Sequence, residues 1–161
     1  MSTIKKAVHT VVKPECGKKV YDIIQNEDLF ANLSPMPNAI ESIERLVNNS
    51  RLDTYIVTAY SGNGDMAKGK IRWIKKNMPF FDTEYVILCK PKHLVYGNVL
   101  LDDAVKNLTS WFEAQQSLGN DDVHPIAMAA SHNEDADKEH SIDARVSGWT
   151  EFMDYLGTFI L

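Results

Sequence analysis

Apolar and polar positions along the chain follow two alternating patterns. Short runs rich in β-branched residues, which are typical of buried strands, lie at 53–60, 84–90, 98–103 and 124–130. Apolar residues at helical spacing predict helices at 17–30, 34–49, 66–78, 104–116 and 148–159. Strands that alternate with helices of this length predict an α/β fold, in which a parallel sheet carries helices on both faces.

The length of the chain is consistent with a single domain over residues 1–161. A chain of this size buries about two thirds of its unfolded surface, and no repeat appears at periods of 20–50 residues. The polar stretch 131–143 is predicted to be a loop before the last helix.

Composition narrows the classes of function. A net charge of −5 disfavours a general nucleic-acid binder, and the basic cluster 68–76 is interpreted as the solvated side of a helix. No apolar stretch reaches the roughly 18–20 residues that cross a bilayer, and the N-terminus lacks the apolar core of a signal peptide. Cys16 and Cys89 show no metal-ligand spacing, so we expect a reduced, cytoplasmic protein that does not bind membranes.

Polar side chains follow two of the predicted strands at the point where each strand ends. Asp102 and Asp103 end the run "VLLDD", and paired carboxylates suit Mg²⁺. The alternative is that one of them caps the helix that begins at Ala104. Thr58 ends "YIVT" and is suited to donate its hydroxyl to a phosphate oxygen, although threonine is also a common strand residue.

Two loops carry further candidates. Lys92, in "CKPKHL", is suited to neutralise a phosphate or a metal-bound carboxylate, although a lone loop lysine is usually solvated. His132 and Asn133 follow the last predicted strand and are either site residues or parts of a surface loop. Because ligands bind beyond the carboxyl ends of parallel strands, we expect all of these candidates along one edge of the sheet.

Six segments of the chain carry a resemblance: "LSPMPNAIESIERL", "YIVTAY", "KIRWIKKNMPFFDTEYVILCKPKHLV", "LLDDAVKNL", "ASHN" and "RVSGWTEFMDYL". Together they resemble the deoxyribonucleotidase family of the haloacid-dehalogenase (HAD) superfamily. The resemblance runs from about residue 27 to residue 156. It implies an HAD-like (Rossmannoid) sheet and a Mg²⁺-dependent phosphatase that acts on deoxyribonucleoside monophosphates. The matching positions are Thr58 and Ala59 for phosphate, Lys92 for the motif lysine, Asp102 and Asp103 for the metal, and His132 and Asn133 for a substrate loop.

The first motif of the superfamily, D-x-D-x-[TV], is missing behind any apolar strand upstream of residue 27. In the family its two aspartates are the nucleophile and the general acid/base. The only D-x-D of the chain, Asp135 and Asp137, lies in the polar loop. Aligning "KKAVHTVV" with the first strand of the family places His9 at the position of the nucleophile and Val11 at the position of the general acid/base.

The overlay makes residues 1–12 a degenerate first strand and leaves 13–33 as the remnant of a reduced cap. The rival interpretation is that residues 1–12 are a tail and that the strand was lost, which would leave unpaired backbone groups in the sheet.

Three hypotheses follow. The first is a non-catalytic homologue that binds a nucleotide, a phosphate or a protein partner. The second is an active phosphatase, rescued by His9, by a partner chain, or because the chain is part of a longer product. The third is a vestigial site on a protein that works through its surface, for example as a homodimer. We favour the first, because losing a covalent nucleophile typically costs several orders of magnitude in rate.

Overall fold

The computed structural model describes residues 23, 26–60 and 64–159. The chain divides into two compact units, residues 1–90 and 91–161, which are described separately. The predicted first strand, His9, Val11 and Cys16 lie outside the described residues. A single domain over residues 1–161 and a reduced cap therefore stay predictions.

The first unit contains two parallel strands and the helices around them. Val57 lies opposite Ile87 in the parallel pair, and the buried side chains of Ile74, Met78 and Phe81 form the core below it. The elements, in chain order, are helix α1 (Glu27–Ala31), helix α2 (Ala39–Val47), strand β1 (Ile56–Thr58), helix α3 (Asp65–Asn77), a 3₁₀ turn (Thr83–Tyr85) and strand β2 (Val86–Leu88).

The second unit contains a parallel three-stranded sheet in the order β3-β4-β5. Its central strand pairs Ile126 with Leu101 on one side and with Ala144 on the other. The elements are a 3₁₀ turn (Lys92–Leu94), strand β3 (Val99–Asp102), helix α4 (Val105–Ser117), strand β4 (His124–Met128), a 3₁₀ turn (Ala136–Lys138), strand β5 (Ala144–Val146) and helix α5 (Trp149–Gly157). Parallel strands flanked by helices confirm the predicted α/β fold class.

The structure differs from the sequence prediction in several places. In the segment predicted as a helix at 17–30, Asn26 is extended and caps a helix that begins at Glu27. Helix α2 begins at Ala39 rather than at Ser34, because Ser34 and Met36 each precede a proline and are disfavoured from the helical region. A non-helical turn takes the place of the predicted first turn of the helix, and Asn38 has a positive φ of 61° in it. Strand β5 was not predicted, since its residues, Ala-Arg-Val, form no apolar run and include a single β-branched residue.

The helices of the described ranges include none with the length and apolar character that a membrane span requires.

Candidate functional site

A lysine of helix α3, Lys70, lies at the carboxyl end of β1, although the sequence analysis places it with the cluster 68–76 on the solvated side of the helix. Lys70 Nζ donates to the hydroxyl of Thr58 at 2.8 Å and to the carbonyl of Ala59 at 2.5 Å. An ammonium group has donors only, so the Thr58 hydroxyl must be the acceptor in this bond. The Thr58 hydroxyl keeps its own proton to donate, so the pair combines a positive charge with an O–H donor.

The helical repeat of α3 brings Lys70 to this position. Gly64, the residue before the helix, has a φ of 92°, which glycine adopts without strain. Met66 and Ile74 are buried, and Lys70 lies halfway between them at a spacing of four residues. Residues four apart share one face of a helix, so the lysine belongs to the inward face. This break in an apolar stripe is the signal that identifies it in the sequence.

In the second unit, Asp102 is the last residue of β3 and its carboxylate accepts three hydrogen bonds. Its side chain is 3% exposed, and that of Lys92 is 16% exposed. Oδ2 accepts hydrogen bonds from Lys92 Nζ at 2.6 Å and from Asn107 Nδ2 at 2.9 Å, while Oδ1 accepts from the Ala104 N–H at 3.0 Å. Three donors, one of them charged, compensate the buried negative charge. The bond to Ala104 is not a helix cap, because helix α4 begins at Val105 and its N-cap residue, Ala104, has no side-chain capping bond.

Asp103 has a different environment from its neighbour. Its side chain is 59% exposed, and its Oδ2 lies 3.3 Å from His132 Nε2. Loss of hydration and the negative charge of Asp102 raise the pKa of Asp103 above its ordinary value, while His132 opposes the shift. Asp103 is consequently the carboxylate of this pair that remains accessible to a ligand.

Asn133 connects the ends of strands and is 3% exposed. Its Nδ2 donates to the carbonyls of Asp103 at 2.8 Å and Met128 at 2.7 Å. Its Oδ1 accepts from the Ala130 N–H at 2.8 Å and from Arg145 Nε at 3.2 Å. Both donors and both acceptor positions of the amide are used within the protein. The amide therefore fixes the backbone next to Asp103.

The described residues do not by themselves fit a bound Mg²⁺. This ion prefers six oxygen ligands, commonly one or two carboxylates with waters and substrate oxygens. The oxygens of Asp102 already accept from Lys92, Asn107 and Ala104, which leaves Asp103 as the accessible carboxylate. Across residues 23, 26–60 and 64–159, no three acidic, histidine or cysteine side chains form a group that could hold a metal.

The sequence candidates fall into two sets. Five candidates lie together in the second unit, where Lys92 contacts Asp102 and Asn133 contacts Asp103. The roles of all five as ligands stay predictions. The shared edge with Thr58 and Ala59 of the first unit also stays a prediction, and His9 lies outside the described residues. The five are Lys92, Asp102, Asp103, His132 and Asn133.

The chain is similar in sequence to one protein family and to several individual proteins. A family model described as "5' nucleotidase, deoxy (Pyrimidine), cytosolic type C protein" matches residues 2–158. A 5'(3')-deoxyribonucleotidase of Clostridium acetobutylicum is 38% identical over 104 residues, which are 65% of this chain and 56% of that protein. A Staphylococcus epidermidis protein named "Putative 5'(3')-deoxyribonucleotidase" is 32% identical over 154 residues, which are 96% of this chain and 76% of that protein. A 5'(3')-deoxyribonucleotidase of Bacillus subtilis is 29% identical over 126 residues, 77% of this chain and 63% of that protein. The match thus spans between about half and three quarters of the relatives' own lengths.

Proposed function

Since the chain belongs to the family described as "5' nucleotidase, deoxy (Pyrimidine), cytosolic type C protein", we propose that it binds the phosphate group of a nucleoside monophosphate, and we infer from the missing first motif that it does not hydrolyse this ligand. The proposed phosphate site is the carboxyl end of β1, with Thr58, Ala59 and Lys70. The observation that supports the proposal is the 2.8 Å bond from Lys70 to the Thr58 hydroxyl.

The chemistry of this pair suits a phosphate. Lys70 brings a full positive charge to the end of the strand, and the Thr58 hydroxyl keeps its proton for an anionic oxygen. Hydrogen bonds between charged groups are roughly twice as strong as neutral ones. Because the ammonium is already bonded to Thr58 and Ala59, part of the entropy cost of fixing a lysine is met before the ligand arrives.

The absence of hydrolysis is proposed from the sequence. Transfer of phosphate to an aspartate requires a carboxylate in line with phosphorus, and this chain has no D-x-D behind an apolar strand upstream of residue 27. The overlay places His9 and Val11 at the two catalytic positions, and valine has no proton to give to a leaving group. No catalytic step is assigned to Mg²⁺, since the described residues do not fit the ion.

An active phosphatase is the second candidate function. Its support is the family itself: the family model matches residues 2–158, and the Clostridium acetobutylicum relative named 5'(3')-deoxyribonucleotidase is 38% identical over 65% of this chain.

One experiment separates the two functions. The chain is incubated with deoxyribonucleoside monophosphates and with a generic phosphate ester, with and without Mg²⁺, and released phosphate is measured. We expect no turnover above background. Turnover that disappears in both Asp103→Asn and His9→Ala would establish the phosphatase instead.

Binding is measured on the same samples by thermal shift with a deoxyribonucleoside monophosphate. A ligand at ten times its dissociation constant stabilises the folded state by about 1.4 kcal/mol. We expect this stabilisation in the wild type and in the control Lys68→Ala, which alters an exposed lysine of the same helix. Lys70→Ala should abolish it. Equal stabilisation of Lys70→Ala and wild type would refute the proposed site.

A further inference from the structure

We propose that Phe30, in helix α1, is a positioning residue that holds Lys70 at the end of β1, so that α1 sets the anion affinity of this site. The inference about affinity rests on the proposed function; the placement of the lysine is testable without it. Lys70 Nζ lies 4.8 Å from the centroid of the Phe30 ring. This distance is within the roughly 6 Å over which an aromatic face attracts a cation.

Among the described residues, three different groups contact the ammonium of Lys70. The Thr58 hydroxyl and the Ala59 carbonyl accept its hydrogen bonds, and the ring of Phe30 lies against it. A lysine side chain has four rotatable bonds and loses much rotamer freedom when it is fixed. The ring restricts these rotamers in the absence of a ligand, and this preorganisation strengthens anion binding without any contact between Phe30 and the anion.

Helix α1 is itself fixed by residues on either side of Lys70 in α3. Arg72 binds Glu27 at 2.6 Å and Asp28 at 2.9 Å. A Cβ at Gly69 would lie 2.2 Å from the carbonyl oxygen of Glu27, so the backbone of α1 approaches α3 at a point where only glycine fits. The sequence Gly69-Lys70-Ile71-Arg72 therefore both carries the lysine and docks the helix whose ring covers it.

A purely structural role for Phe30 makes a different prediction. If the ring only fills space, leucine should replace it with little effect on Lys70. If the ring face holds the cation, tyrosine should preserve the effect and leucine should not, because leucine has no aromatic quadrupole. The comparison of Phe30→Leu with Phe30→Tyr separates these roles.

The first measurement is calorimetric titration with inorganic phosphate. We expect Phe30→Leu to bind about three- to tenfold more weakly than wild type, as expected from the strength of a partly exposed cation–π contact. Phe30→Tyr should stay within about twofold of wild type, and Lys70→Ala sets the lower limit. A Phe30→Leu variant that binds like wild type while Lys70→Ala does not would overturn the inference and leave the proposed function intact.

The second measurement needs no ligand. The full chain is treated with limiting acetic anhydride, and acetylation of Lys70 is compared by mass spectrometry with that of Lys68, which is exposed on the same helix. We expect Lys70 to react several-fold faster in Phe30→Leu and unchanged in Phe30→Tyr. Gly69→Ala should also accelerate the acetylation of Lys70, because the new Cβ displaces α1 and its Phe30 ring while both Phe30 and Lys70 stay unmutated.

The two measurements distinguish the two claims. If the wild type binds no phosphate but the reactivities follow this pattern, the positioning role stands and the proposed function fails. If the reactivity of Lys70 is the same in all variants that fold by circular dichroism, Phe30 does not position it. Should Phe30→Leu fail to fold, Arg72→Ala replaces it, and unchanged Lys70 reactivity in Arg72→Ala and Gly69→Ala counts against the inference.

Discussion

Replacing Asn133 by alanine tests whether a buried amide holds the backbone around the acid pair. The side chain is 3% exposed and takes part in four hydrogen bonds of 2.7–3.2 Å. Two of its partners keep another bond in the variant, since the Asp103 carbonyl also lies 3.1 Å from His132 Nε2 and Arg145 Nε also donates to the Asn133 carbonyl. The other two partners, the Ala130 N–H and the Met128 carbonyl, lose their bond to the amide.

The magnitude follows from these contacts. Each hydrogen bond contributes a net of about 0.5–1.5 kcal/mol, and leaving a buried partner unsatisfied costs about 1–3 kcal/mol. With two of the four partners compensated, Asn133→Ala should lower the free energy of unfolding by about 2–4 kcal/mol. The corresponding loss in melting temperature is about 5–15 °C for a chain of this size. The protein should still fold, because typical stabilities are about 5–15 kcal/mol.

Urea unfolding followed by circular dichroism measures the effect, with an unchanged m-value as the sign that only stability has changed. The matched control is Asn98→Ala, in the same unit, where an exposed amide donates one hydrogen bond to the Asp122 carbonyl at 2.9 Å. The control should lose less than about 1 kcal/mol. If the two variants lose the same amount, Asn133 does not fix this region and the reasoning is wrong.

Three further predictions concern the acid pair. The pKa of Asp103 is raised in the folded state, so the folded protein binds more protons than the unfolded chain at pH values just above the ordinary aspartate pKa. The free energy of unfolding should therefore fall as the pH rises through this window, and Asp103→Asn should remove this part of the pH dependence. If the free energy of unfolding, measured from pH 3 to 7, depends on pH equally in the variant and the wild type, the prediction is wrong. Lys92→Met leaves the buried Asp102 carboxylate with Asn107 and a backbone N–H as its donors, and should lower the free energy of unfolding by about 2–4 kcal/mol. The double variant Lys92→Met/Asp102→Asn should recover part of this loss. No recovery would argue against a coupled pair. Addition of MgCl₂ without nucleotide should change the melting temperature no more than NaCl of equal ionic strength, whereas a specific, saturable rise would show that the chain supplies ligands beyond those described.

Local patterns were sufficient for the fold class. Strand-like runs separated by amphipathic helices predicted a parallel α/β arrangement, and both sheets of the structure are parallel. The run "VLLDD" also located the carboxylates at the end of β3, because a buried strand that ends in acidic residues must deliver them to the sheet edge. These features depend on neighbours in sequence, so the sequence by itself determined them.

The different roles of Asp102 and Asp103 were decided by tertiary structure. The two residues are chemically identical and adjacent, yet one is buried against Lys92 and the other is exposed beside His132. Successive side chains of an extended chain point to opposite sides, so the direction of β3 in the sheet assigns the roles.

The same holds for Lys70 and Asn133. The first reaches Thr58 across 12 residues of sequence, and the second reaches Asp103 across 30. A pattern within α3 marks Lys70 as inward-facing, but only the pairing of β1 with β2 and the docking of α3 determine what it touches. Sequence periodicity fixes which face of an element is buried, while the partner on that face depends on segments distant in the chain.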